Sequence, residues 1–593
     1  MSRYRLEAAG MLVRERIAER LPLQFRVLYR QFLLRVVDLE ALSMQADVPR
    51  LLGQFAGVLI LISVLQTIGF LFMVGLLGGR PGASSALALY VLQKALSLIS
   101  GTMLIVGLVT VVSWDTIFPD RRDAMVLGPL PVKPGTILCA KLAASGALLG
   151  VAVVALNFGL GTVLPIVAGG SLLGILRAMF AWWFTMAAAT VFLYGSVLAV
   201  QGWAALMLPR RVFLRLSAVL QLALFALLLT AWIFQPNIPN LVGRAEIGAL
   251  AGHWPACWFL CLMLQFDGRL PAEHAWMAQR AWVAVLLSIA GAGTSLLLCY
   301  FRTMKRTVEE PDLLPGGRGR RIGMKWGNSL ETAIVQFSAR SLARSKQHRV
   351  VYAFFLAITF AIAVSTVEGV VRSRAVRPLT QDFLMPTLAM MCLAIVGLRS
   401  IFSLPVSLKA NWVLQVTRLR PSEEYIAATR RALLVMSTGP VWLVVAALSL
   451  CFRPWHAVME HLLILGLVAW ILTEVSLIGV SKIPFACSYL PGKTNIQYMF
   501  WAFAVVFVPI AMGLANEEIR GFHQPWRFAA LAAALASLAV GLWVWNRRAA
   551  RSAVLYYEEQ EPVVIMTLGL SGMILQPQES AAPAGAGASD PIE

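Results

Sequence analysis

About twelve apolar runs, each roughly 20 residues long, punctuate this chain, and that is the length a helix needs to cross the hydrocarbon of a bilayer. Backbone surrounded by lipid finds no water for its N–H and C=O groups, so each run must satisfy them internally as an α-helix. The expected fold class is therefore an all-α polytopic membrane protein with about twelve transmembrane helices. Composition agrees: of 593 residues, 59% are hydrophobic and 13% charged, with a mean hydropathy of +0.74. Soluble domains carry about 25% charged residues.

The first set of runs lies near Leu51 to Leu77, Ala86 to Trp114, Leu142 to Ala168, Met179 to Leu206, Leu216 to Phe234 and Ala281 to Tyr300. The second lies near Val350 to Val367, Phe383 to Leu404, Ala432 to Cys451, His456 to Val480, Ile496 to Leu514 and Phe528 to Trp545. Lysine and arginine concentrate in alternate connections. With the amino terminus in the cytoplasm, most of the 50 basic residues fall on the inside, as the positive-inside rule requires. Both termini are thus expected on the cytoplasmic face of the cell's inner membrane. The net charge of +20 follows from this topology. A nucleic-acid partner is not expected, because no basic, aromatic surface domain accompanies the charge.

Ahead of the first span, Phe25, Leu28, Tyr29, Phe32, Leu33 and Val36 recur at helical spacing with Arg26 and Arg30 on the opposite face. That pattern predicts an amphipathic helix lying in the interface, its cations toward anionic lipid. The charged first fifty residues do not read as a secretory signal. A second basic amphipathic segment, Ile334 to Arg349, stands before the second set of spans, and each set has its most polar loop between its second and third spans. The layout reads as a duplication into two parallel six-helix repeats. The chain then divides into a cytoplasmic elbow (1–50), a first six-span half (51–303) with a cytoplasmic loop at 115–141, and a basic linker with a second elbow (304–349). A second six-span half (350–548) with a loop at 405–431 and a cytoplasmic tail (549–593) follow. The tail ends in Pro, Ala, Gly and Ser without periodicity and is expected to be disordered.

Motifs for chemistry are few. The seven cysteines are scattered and imply no disulfide framework. His253, Cys257 and Cys261 have helical spacing, but a zinc site needs a fourth ligand, so no metal is expected. The tetrapeptide PGKT at 491–494 lacks the upstream glycine of a phosphate-binding loop, since Cys487 stands there. No cofactor and no enzymatic activity in this chain are expected, and any ATP hydrolysis belongs to another subunit. Charges inside apolar runs are functional candidates by cost alone; these are Lys94, Arg399, Glu460 and Glu474.

The loop DRRDAMVLGPLPVKPGTILCAKLAA, with its Leu-Pro turn followed by a helix start and a lysine at the next span, resembles that of type 2 ATP-binding-cassette (ABC) exporter permeases. The elbow and the six spans fit the same resemblance. It implies that the loop docks on a separate ATPase subunit, present in two copies. Docking would then involve Asp120, Arg121, Arg122, Asp123, Leu127, Leu130, Pro131, Val132, Lys133 and Lys141, with Pro421, Glu423, Glu424 and Tyr425 as a degenerate counterpart in the second half. Other expected partners are membrane lipids and a small or amphiphilic substrate. The resulting expectation is a permease moving a hydrophobic or amphiphilic substrate outward. The alternatives are an ion-coupled transporter using Lys94 and Glu474, or a lipid-modifying enzyme using Asp120, Arg121 and Asp123.

Overall fold

The computed structural model describes residues 23–37, 48–78, 83–114, 126–127, 129–235, 252–309, 325–372, 379–402, 421–449, 455–479, 485 and 496–552. Outside them lie Asp115, Asp120, Arg121, Arg122, Asp123, most of the second loop at 405–431, the PGKT segment and the tail beyond 552. Among the described residues the fold is all-helical, and nine helices are long and apolar enough to cross a membrane. The chain is a multi-pass, all-α membrane protein.

In the first half, α1 (Leu23–Val37) precedes α2 (Val48–Gly78), α3 (Ala83–Val112), α4 (Pro134–Asn157), α5 (Leu160–Gly169), α6 (Leu172–Met207), α7 (Arg210–Ile233), α8 (Pro255–Asp267) and α9 (Ala275–Glu309). The second half contains α10 (Ser329–Arg344), α11 (Lys346–Arg372), α12 (Gln381–Phe402), α13 (Ser422–Leu433), α14 (Gly439–Ser449), α15 (Trp455–Ser476), α16 (Ile496–His523) and α17 (Pro525–Ser552). A single π turn, Leu434–Thr438, joins α13 to α14. The first elbow, α1, packs along α4, and the second, α10, packs along α13.

The third apolar run differs from its expected bounds. Its helix starts at Pro134, whose fixed φ and missing N–H suit the first helical position, and so absorbs the sequence PGTILCAK. It stops at Asn157, whose amide turns to Thr102 Oγ1 (3.1 Å) and to Val153 O (2.9 Å). The next backbone N–H free of the helix, that of Gly159, donates to Ser63 Oγ of α2 at 2.9 Å. A Cβ at Gly159 would meet Thr67 Oγ1, so the break sits where only glycine allows α2 to come this close.

Helix α8, at 13 residues, is too short to span and is instead lodged against α3, α6 and α9. Cys257, Phe259, Leu260 and Leu262 are buried there. Gly268, at φ 77°, ends it in the left-handed conformation, and Arg269 N–H returns to Leu264 O at 3.0 Å. Trp254 caps the carbonyl of Ala231 at the end of α7 at 3.0 Å. The aromatic stretch is thus a short buried helix packed into the bundle against α3, α6 and α9.

Without a hydrophobic force between helices in lipid, close packing depends on small residues. Helices α6 and α9 approach at Gly195, where an added Cβ would stand 3.0 Å from the backbone oxygen of Ser288. Gly195→Val is expected to destabilise the protein by about 1–3 kcal/mol through overpacking, whereas Gly150→Ala, where a Cβ meets nothing within 4 Å, leaves it unchanged. Thermal unfolding of the detergent-solubilised variants decides this; equal midpoints for both would refute the tight contact.

The two halves meet along α7 and α11. Phe225, fully buried, meets Phe354 edge-on with centroids 6.1 Å apart, and Val111, Trp114, Val197 and Ala357 complete the seam.

Candidate functional site

Three features stand out: an exposed turn at the start of α4, and two buried polar clusters within the second half.

At the start of α4, Leu28 and Phe32 of α1 bury against Ile137, Ala140 and Ala144, with Leu127 and Val132 packed at the margin. Leu130 N–H donates to Leu127 O (3.2 Å) and Val132 N–H to Leu130 O (2.7 Å), which folds the chain into a tight turn before Pro134. That turn points Leu130 outward at 49% exposure and leaves Val126, Pro131 and Lys133 exposed. Lys141 is placed differently: it is buried, its ammonium 5.2 Å from the centroid of Phe32, where it fixes the elbow. Of the docking residues expected here, the structure brings Leu130, Pro131 and Lys133 to one exposed surface and turns Leu127 and Val132 partly inward.

The counterpart in the second half is tied down. Pro421 is exposed at the cap of α13 and Glu424 beside it is exposed, while Tyr425 is half-buried. Glu423 lies between two arginines of α17, 2.6 Å from Arg547 Nε and 3.2 Å from Arg551 Nε. Ser422 Oγ donates to Ala550 O at 2.5 Å. This end of α13 is fastened to α17, unlike the free turn before α4.

The first buried cluster gathers on Glu474, which is fully buried. Arg430 Nε lies 2.6 Å from its Oε1, and Arg430 Nη2 donates to Oε2 at 3.2 Å. Asn546 Nδ2 donates to Oε2 and to the backbone oxygen of Glu474, each at 2.8 Å, and Trp470 Nε1 reaches Oε1 at 3.3 Å. Arg399, nearby on α12, donates to Ser476 O at 3.0 Å. Three spanning elements, α13, α15 and α17, are thereby locked together at one level.

The second cluster stands about 20 Å away along α15, at 1.5 Å per residue. His461 Nδ1 is 2.8 Å from Glu518 Oε1 on α16, and His461 Nε2 is 3.1 Å from Thr387 Oγ1 on α12. The order hydroxyl, imidazole, carboxylate is that of a hydrolytic triad, but all three side chains have zero exposure, so no substrate reaches the hydroxyl. Glu460, one residue before His461, is half-buried and interacts electrostatically with His456 and Glu518. Lys94 is half-buried on α3, in the first half.

Among the described residues no group of His, Cys, Asp and Glu is arranged to hold a metal. His253 is exposed, Cys257 and Cys261 are buried, and Cys261 Sγ instead lies 3.7 Å from Met277 Sδ. A scan against protein-family models, a search of curated proteins and a search of solved structures each found no match.

Sequence reasoning did not single out Thr387, His461, Glu518, Arg430 or Asn546. Each of the last three falls just beyond a span drawn by hydropathy, and in the structure the helix continues through it.

Proposed function

We propose that the chain is the permease of an ABC exporter of type 2, with two six-span halves fused, both termini cytoplasmic in the inner membrane. It moves a hydrophobic or amphiphilic substrate using ATP hydrolysed by a separate subunit. The observation that carries this reading is the Leu130–Pro131 turn: an apolar, exposed turn outside the spans, held in place by the buried contact of α1 with α4. An exposed apolar anchor on a rigid support is what a partner's cleft binds, since a few buried apolar residues carry most interface energy. The recurrence of elbow on third span, α1 on α4 and α10 on α13, supports the six-plus-six layout. Fastening of α13 to α17 through Glu423 makes the second loop a weaker docking element than the first.

Against the ion-coupled reading, Glu474 is committed to Arg430 and Asn546. Purification in mild detergent is expected to bring down a soluble ATPase. Recovery of the chain without one, together with transport that follows an ion gradient, would overturn the proposal. Topology is tested in a cysteine-free background: a cysteine placed at Glu273 is expected to react with a membrane-impermeant maleimide from outside and one at Lys133 only after the membrane is opened. The reverse pattern would invert the orientation.

A further inference from the structure

We propose that a polar stripe along α3 takes the anionic headgroup of the transported amphiphile, with Lys94 as its counter-charge. In the apolar run ALALYVLQKALSLISG, Tyr90, Gln93, Lys94 and Ser97 recur at i, i+3, i+4 and i+7, so the helix gathers them on one face. All four are half-buried, whereas Ala95, Leu96, Leu98 and Ile99 between and beside them are buried in the core of the first half. Hydrocarbon does not tolerate a face of that composition; within membranes such residues line an interior or a ligand's path.

At 1.5 Å per residue, Lys94 stands about 13 Å from the start of its span at Ser85, deeper than its stem can carry the ammonium back to that end. Arg399 and Arg430 have acceptors within the chain, Ser476 O and the Glu474 carboxylate. Lys94 has no hydrogen bond or ion pair among the described residues. A ligand that brings the negative charge removes the cost of holding a bare ammonium there.

The same face of α3 continues through Gly101 and Leu108. A Cβ added at Gly101 would stand 3.9 Å from Trp232 Nε1 of α7, and Leu108 packs against the seam, so the stripe turns toward α7. That helix ends at Ile233, one residue after Trp232, and so does not cover α3 two turns further along, where Lys94 stands. The Tyr90 ring stacks on Phe70 of α2 with centroids 5.7 Å apart, which fixes that side chain one turn from Lys94. Ammonium, phenol and serine hydroxyl all donate to phosphate or carboxylate oxygens. Exposed Trp232 and Ile233, at that end of α7, are apolar surface for the alkyl chain behind the headgroup. Calling the occupant the substrate rests on the permease reading; binding is measured on the chain without an ATPase, so the two fail separately.

The probe is radiolabelled dodecyl phosphate, bound to the purified full chain in dodecyl maltoside. Lys94→Met removes the charge at nearly constant length and is expected to weaken saturable binding about 100-fold, as loss of one partner of a desolvated charge pair does. Lys94→Arg is expected to retain binding, since both cations hold phosphate. Equal affinity in wild type and Lys94→Met would overturn the site. Inorganic phosphate is expected not to compete, and competition as strong as that of unlabelled dodecyl phosphate would refute an amphiphile as the ligand. Thermal unfolding without dodecyl phosphate gives an independent reading: Lys94→Met is expected to match or exceed wild type. A lower midpoint would show that the ammonium already has its partner within the chain, and would overturn the proposal.

Discussion

In membranes carrying Leu130→Asp, recovery of the ATPase proposed to co-purify is expected to fall about 100-fold while the chain still inserts. Leu130 is half-exposed and lies outside the spans, so an aspartate there meets water in the free protein and costs little. Seated in a partner's cleft, the same carboxylate is desolvated without a counter-charge. That costs about 3 kcal/mol, or about 100-fold in affinity. Val132→Asp is the less informative change, because Val132 packs against the α1–α4 cluster; the aspartate would unseat the elbow and lower abundance as well as binding. Quantitative pull-down from equal amounts of inserted protein decides the matter, and equal ATPase recovery from Leu130→Asp and wild type removes the docking role from this turn.

Glu474→Leu is expected to lose about 3–5 kcal/mol of stability. Its carboxylate accepts from Asn546 and Trp470 and neutralises Arg430. Removing it strands a guanidinium between helices. The compound change Glu474→Leu with Arg430→Met should recover most of the loss, because replacing both partners of a buried pair by apolar groups is often neutral or better. Unfolding midpoints followed by tryptophan fluorescence test both. A single variant as stable as wild type would mean that the pair contributes nothing, and a compound variant no better than the single one would mean that Asn546 is the costly orphan.

Much of the fold was legible because lipid leaves the backbone one solution per apolar run, and the runs at Leu51 and Ala86 became helices close to their expected bounds. Other ends were misplaced for one physical reason. Hydropathy closes a run at the first strongly polar residue, whereas a polar or charged residue with a partner can stay inside. Arg430 was read as the edge of the second loop, Asn546 as the first residue past the last span, and Glu518 as part of an outer connection. Glu518 and Asn546 are buried, and Arg430 reaches buried Glu474. The pairings join residues 44 and 57 positions apart, and no local pattern announces them. The exposed turn proposed for docking was legible in part. Leu130 stands out as an exposed apolar residue beside a proline, but the inward turn of Val132 and the burial of Lys141 depend on where α1 lies.

The seam of α7 against α11 has a mechanical consequence. Two bundles joined along one pair of helices would move as the covers of a book on its spine, and the edge-on rings of Phe225 and Phe354 are its stitching. On the proposed permease reading, torque applied where α1 packs on α4 would swing that cover about the spine rather than slide it sideways. The widest gape then falls on the side away from α7 and α11, and a bulky group on the spine, rather than in the gape, would be the way to jam it.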